Sequence, residues 1–276
     1  MTTTVSRNNP KIKQLRQLMA HRKERESTGL FAVEGIHHIG EAVEAHAHME
    51  YLCYSPDLLD SEFAHQLVHD QEAAGTPCLP VDADTFASLA GKENPQGIIA
   101  VVRQAAYNLD EMSAESFPWL VALVTPQDPG NIGTILRTID AVGASGLLLL
   151  DDPANDRFCA DPYHPNSVRA SMGAIFWHPL VQAKFTDFIQ WTRLHAYKIY
   201  GTSAHASLDY RYVGDYTLPL VLLMGSEREG LTPLQSAVCD VILRMPMRGR
   251  VSSLNLAVAA GVMLYSIQDK LEKKSQ

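Results

Sequence analysis

Short apolar runs alternate along the chain with segments whose apolar positions recur at three- and four-residue spacing. In the first hundred residues the runs are Leu30–Val33, Met49–Tyr54, Pro77–Val81 and Gly97–Val102. Helical spacing lies between them, at Ile36–Ala47, Ser61–Ala74 and Asp84–Ala90. This pattern predicts a small α/β domain over residues 1–103. Residues 104–118 lose periodicity, collect Asn108, Asp110, Glu111, Ser113 and Ser116, and read as a linker. A second block, residues 119–276, has strand candidates at Trp119–Val124, Gly146–Leu150, Ala174–Trp177, Tyr197–Gly201, Pro219–Met224 and Asp240–Met245. Several are continuously apolar, the mark of a parallel sheet covered by helices on both faces. Such sheets bind ligands beyond the carboxyl ends of their strands, so the loops there are the first place to look for a site.

Composition narrows this α/β reading only a little. The chain has 276 residues, 46% hydrophobic and 20% charged, enough for a sizeable core. No apolar run is long enough to span a bilayer, and the first residues, MTTTVSRNNPKIK, lack the apolar stretch of a secretory signal. Cys53, Cys78, Cys159 and Cys239 form no CxxC pair and read as buried free thiols in a reducing cytoplasm. The net charge of −8 argues against a generally nucleic-acid-coated surface. Yet Arg7, Lys11, Lys13, Arg16, Arg22, Lys23 and Arg25 crowd the first thirty residues. Two roles fit this arm, a local phosphate-binding surface and the solvated face of a helix whose apolar stripe is Ile12, Leu15, Leu18 and Met19. His37 and Glu41 share a helix face at i,i+4 spacing, but a solvated face explains them better than a metal, and no metal is expected.

Three loops follow predicted strands of the second block. TPQDPGNIGTILRT, Thr125–Thr138, breaks structure at Pro126, Pro129, Gly130 and Gly133, then resumes a helix carrying Arg137, for which Asn131 is a candidate cap. GSEREGLTPLQ, Gly225–Gln235, holds Glu227 in a tight loop ahead of a Thr232–Gln235 capping box. PMRGRVSSLN, Pro246–Asn255, precedes a final helix at Leu254–Tyr265, with Ser252 or Ser253 as its expected cap. That helix is apolar nearly all round and is expected to be buried, in the core or in a subunit interface. Neither GxGxxG nor GxxxxGK[ST] occurs where it would cradle a phosphate.

Taken together, the three loops resemble the three motifs of the SpoU branch of the SPOUT RNA methyltransferases. The matching stretches are Asp128–Thr138, Leu223–Leu231 and Met245–Ala260, with Val168–Phe176 similar to a further family segment. Ser6–Lys13, Phe31–Gly35 and Asn94–Val102 resemble the RNA-binding domain, similar to a small ribosomal-protein fold, that often precedes this catalytic domain. Ala257 departs from the pattern, standing where a second serine is frequent.

The resemblance implies S-adenosylmethionine as methyl donor and a ribose 2′-hydroxyl as acceptor. It also implies a C-terminal trefoil knot, a homodimer through the C-terminal domain, and a cytoplasmic enzyme. Arg137, Asn131, Glu227, Ser253 and Asn255 match its catalytic positions. Thr202, Gly225, Met245, Ser253 and Leu254 match or neighbour its cofactor positions. Arg7, Lys11, Lys13, Arg16, Arg22 and Arg137 become candidate RNA contacts. Arg137 is open to two roles, general base or clamp on the phosphate and the developing alkoxide. Ribosomal RNA is the expected substrate. The alternatives are transfer RNA, or a non-catalytic RNA-binding or ribosome-assembly protein that retains the fold.

Overall fold

The computed structural model describes residues 4–90, 96–153 and 156–274. Asn94 and Pro95, part of one stretch of the resemblance, lie outside the described residues. The chain forms two compact units, Met1–Ala105 with Asp161–Phe176, and Ala106–Ala160 with Trp177–Gln276.

The first unit is built on a four-stranded sheet of β1 (Leu30–Glu34), β4 (Ile98–Arg103), β2 (Met49–Tyr54) and β3 (Cys78–Pro80), in that order. Helix α1 (Pro10–Ala20) starts at Asn9, whose side chain accepts from Lys11 N, and Pro10 suits the first helical position. Its stripe of Ile12, Leu15 and Leu18 is fully buried against Ala32, Tyr51, Ile99 and Val101. The arm is not one helix. It breaks at His21 and continues as α2 (Arg22–Thr28), ended by Gly29 at φ +66. Helices α3 (Ile36–Glu44), α4 (Glu62–Ala73) and α5 (Ala83–Ala87) complete the N-terminal part.

Asp161–Phe176 belongs to this first unit in space, although residues 119–276 read as one block in sequence. It carries α7 (Pro165–Ala170) and α8 (Ala174–Trp177). Phe31 on β1 meets Tyr163 and Phe176, with ring centroids 4.8 and 6.1 Å apart. Asp161 pairs with Arg25 at 2.6 Å, both side chains buried. The predicted strand at Ala174–Trp177 is therefore a helical turn. It follows Met172 and Gly173, both at positive φ, and four apolar residues do not by themselves distinguish strand from helix.

The second unit holds a seven-stranded sheet among the described residues, every pairing parallel, in the order β7-β6-β5-β10-β8-β11-β9. Its strands are β5 (Trp119–Val124), β6 (Gly146–Asp151), β7 (Leu180–Lys184), β8 (Lys198–Thr202), β9 (Leu208–Asp209), β10 (Leu220–Met224) and β11 (Val241–Arg244). The two edge strands β7 and β9 are not visible in the apolar pattern, because only one face of each is covered or the strand is too short. β5, β6 and β10 are almost wholly buried, as continuous apolar runs require. Helices α6 (Pro129–Val142) and α11 (Leu256–Lys274) pack together, while α9 (Phe185–Leu194) lies with β6 and β7, and α10 (Pro233–Ser236) is a short turn. The stretch read as a linker is partly core. Met112 is fully buried among Leu120, Val181 and Phe188, with Leu109 and Phe117 packed beside it.

Candidate active site

The parallel register places the ends of β5, β8, β10 and β11 side by side, so the loops after them converge. After β5, helix α6 is capped by Asp128, whose carboxylate accepts from Gly130 N at 2.8 Å. The expected cap, Asn131, instead lies inside the first turn, and its buried side chain does something else. Its Nδ2 donates to Glu227 Oε1 at 3.0 Å, and its Oδ1 accepts from Asn255 Nδ2 at 3.0 Å. Glu227 also accepts from Gln127 N at 2.9 Å and Asp128 N at 3.2 Å. Asn255 in turn accepts from Ala257 N at 2.9 Å and Val258 N at 3.3 Å. Asn255, not Ser252 or Ser253, therefore caps α11, which begins at Leu256. One hydrogen-bonded chain, Glu227–Asn131–Asn255, ties three loops that lie up to 124 residues apart.

Beside this chain lies a cavity of about 330 Å³. Thr202, Gly225, Met245, Ser253 and Leu254 all line it, as does Glu227. Leu231, Leu243 and Leu256 make part of the wall apolar, while Thr202, Ser203 and Ser252 add hydroxyls. Gly225 is there for steric reasons. A Cβ on it would sit 2.0 Å from the Gly230 carbonyl carbon, and Ser226 bridges to Gly230 across the tight loop. An apolar cleft with a few hydroxyls and exposed loop backbone fits a nucleoside with a short polar tail, the shape and chemistry of S-adenosylmethionine.

Arg137 is not among the residues lining this cavity. It stands on the exposed side of α6, opposite Ile132, Ile135, Leu136 and Ile139, which are buried. It lies about 9 Å along the helix from Asn131. Among the described residues its side chain has no hydrogen bond or ion pair. Ser253 lines the cavity but does not join the hydrogen-bonded chain.

The candidate RNA contacts divide. Arg7 and Lys13 are exposed. Lys11 lies over the Tyr51 ring, 4.9 Å from its centroid, and Arg16 reaches Ser88 at 3.4 Å. Arg22 is paired with Glu26 at 2.7 Å. Arg25, counted in the basic arm, is buried on Asp161 and is lost to any surface. The sequence reading missed Arg157 and Phe158, which belong to no motif, and gave no role to Arg228 inside the Leu223–Leu231 stretch; all three border a second cleft. Among the described residues no group of three potential metal ligands occurs, and no helix is long and apolar enough to cross a membrane. His37 and Glu41 stand 3.9 Å apart.

A parallel α/β unit with a nucleoside-sized cavity at the carboxyl ends of its strands, rimmed by a polar chain across three loops, defines a cofactor-binding transferase. Residues 118–265 match the SpoU rRNA Methylase family, and residues 9–100 match the MRM3-like substrate binding domain. The chain is 32% identical over 268 residues to the 23S rRNA (uridine(2479)-2'-O)-methyltransferase of Streptomyces viridochromogenes, covering 95% of this chain and 90% of that one. It is 27% identical to the 23S rRNA (guanosine(2553)-2'-O)-methyltransferase RlmP of Bacillus subtilis, covering 95% and 98%. Among solved structures it is similar to an AdoMet-bound rRNA methyltransferase from Sinorhizobium meliloti, with 33% identity, a TM-score of 0.85, and coverage of 98% and 97%. The chain belongs to the SpoU methylase family, with a substrate-binding domain in front.

Proposed function

We propose that this protein transfers a methyl group from S-adenosylmethionine to a ribose 2′-hydroxyl of ribosomal RNA. The observation that carries this reading is the Glu227–Asn131–Asn255 chain at the rim of a cavity lined by Thr202, Gly225, Met245, Ser253 and Leu254. Full-length relatives named as 23S rRNA 2'-O-methyltransferases support ribosomal over transfer RNA.

S-adenosylmethionine supplies an activated methyl whose departure needs no acid, so the protein's work is positioning and a better nucleophile. Gly225 lets backbone line the cavity closely, and Leu254 and Leu256 exclude water from it. Glu227 acts on the protein itself. Its two oxygens take three N–H donors, which fixes the α6 entry loop and orients Asn131. Arg137 is the cation for the acceptor strand. A guanidinium stays protonated at neutral pH, so we assign it as clamp on the adjacent phosphate and on the oxyanion forming at O2′, rather than as base. Thr202, Gly225, Met245, Ser253 and Leu254 would hold the cofactor that supplies the methyl group, and the hydroxyl proton would leave to solvent or to that phosphate.

The homodimer is part of the proposal. Helix α11 buries Ala257, Ala260, Met263, Leu264 and Ile267 within the chain but leaves Val258, Val262 and Tyr265 exposed along one stripe. The final helix is thus not buried all round in one chain, and a second copy would cover that stripe. The C-terminal knot and a cytoplasmic location belong to the same proposal, as does the absence of a metal requirement.

The test is a mass-spectrometric map of ribose methylation in total RNA from cells with and without this gene. One 2′-O-methyl mark that disappears, and returns with wild type but not with Arg137→Ala, is the expected result. An unchanged map, with no cofactor binding by calorimetry, would make the protein a non-catalytic RNA binder.

A further inference from the structure

A second cleft, of about 470 Å³, lies within the same unit. Thr125, Gln127, Arg157, Phe158, Arg228 and Glu229 border it. Ser226, Arg228 and Glu229 line both this cleft and the cofactor cavity, so one short loop forms the wall between them. The second cleft is thus the neighbour of the cofactor cavity, as a seat for the methyl acceptor has to be.

The second cleft has the chemistry of a nucleotide seat. Phe158 is 51% exposed, so part of its ring is open to a ligand in the cleft it borders. Its backbone is held in place, with its carbonyl accepting from Gln127 Nε2 at 3.1 Å. Gln127 in turn donates its backbone N–H to Glu227, so the ring's support is continuous with the chain that crosses the active site. Arg157 forms a two-pronged pair with Glu229, at 2.5 and 2.9 Å, which fixes a second planar group at the same cleft. Glu229 neutralises Arg157, whereas Arg228 is exposed and has no hydrogen bond or ion pair among the described residues. An exposed aromatic ring and an unpaired cation on one cleft are the elements that seat single-stranded RNA, with the base stacked and the phosphate paired.

We propose that this cleft is the acceptor-nucleotide subsite, with the Phe158 ring stacking on a base at the methylated position and Arg228 holding an adjacent phosphate. The inference rests on the RNA methyltransferase reading and adds the residues that grip the acceptor. Stacking is tolerant of base identity, so this seat positions a nucleotide without selecting its sequence.

The experiment measures methyl transfer from tritiated S-adenosylmethionine to ribosomal RNA purified from cells lacking the gene, alongside filter binding of the same RNA. Phe158→Ala is expected to raise KM and weaken RNA binding roughly 5- to 150-fold, the worth of one stacked base. Phe158→Trp should restore both, and the cofactor dissociation constant should not move. Arg228→Ala should weaken RNA binding and lower the salt slope by about one phosphate contact. Wild-type kinetics and binding in Phe158→Ala would overturn the subsite, as would a loss confined to cofactor affinity. A wild-type protein that binds this RNA without methylating it, with Phe158→Ala weakened, would keep the subsite and overturn the activity. A wild-type protein that does neither would overturn both.

Discussion

Asn131 hands its amide hydrogen to Glu227 at 3.0 Å across a gap of 96 residues in sequence. Because Glu227 also accepts from two backbone N–H groups, each of its two oxygens already faces at least one donor. Glu227→Gln must therefore turn an NH2 group toward another N–H. It should cost about 1–3 kcal/mol of loop stability and weaken cofactor binding. Activity should fall less than in Arg137→Ala. Thermal unfolding and turnover measured together check this, and equal loss in the two variants would give Glu227 a direct role in proton transfer.

Arg137 has no partner among the described residues, so its removal should leave the fold untouched. Arg137→Ala is expected to melt like wild type and bind S-adenosylmethionine normally, yet lose about 10²-fold or more in transfer. Arg137→Lys should keep measurable activity if a positive charge is what matters. A dead lysine variant with intact RNA binding would favour the base role.

Gly225 cannot carry a side chain. A Cβ there would stand 2.0 to 2.3 Å from the backbone of Gly230 and Leu231, atoms that cannot swing away. Gly225→Ala should open the loop and abolish cofactor binding in calorimetry, while Gly249→Ala, where a Cβ meets nothing within 4 Å, should bind as wild type.

The basic arm should split by function. Arg25→Ala leaves Asp161 buried without its cation and should destabilise the protein by about 3–5 kcal/mol, read in urea unfolding. Lys13→Ala and Arg7→Ala, both exposed, should leave stability within about 0.5 kcal/mol and reduce only RNA affinity at low salt.

Burial pushes the Cys53 and Cys239 thiols up to about 12, and Cys78 to about 11. Desolvation disfavours the thiolate, so little of it exists at pH 8. Native protein treated with iodoacetamide at pH 8 should resist labelling at Cys53 and Cys239, with full labelling only after unfolding in urea. Rapid native-state modification of Cys53 would contradict its full burial, and of Cys239 the packing around Gly201, where its sulfur fills the space a Cβ would need.

The parts of this protein legible in the sequence are those fixed by local chemistry. Continuous apolar runs such as Leu120–Val124 and Leu220–Met224 identify buried parallel strands, because both faces must be covered. Glycine and proline spacing marks the loops, and Gly225, Met245 and Leu254 of the motif stretches line one cavity together with Thr202. Where the signal was local but two answers shared it, as at Ala174–Trp177 and at the caps of α6 and α11, the sequence reading failed, since several nearby side chains could satisfy the same backbone N–H groups.

Only the tertiary structure decided the rest. Arg25 looked like one more surface cation until Asp161, 136 residues away, buried it. Asp161–Phe176 left the block it follows in sequence to pack on β1. Asn131 gave up capping for a place between Glu227 and Asn255, and Phe158 acquired its cleft. Each outcome depends on partners distant in the chain. Residue type and periodicity report the preferences of a segment, while the pairing of charges and the shape of a cleft are set by whatever the fold brings within a few ångströms.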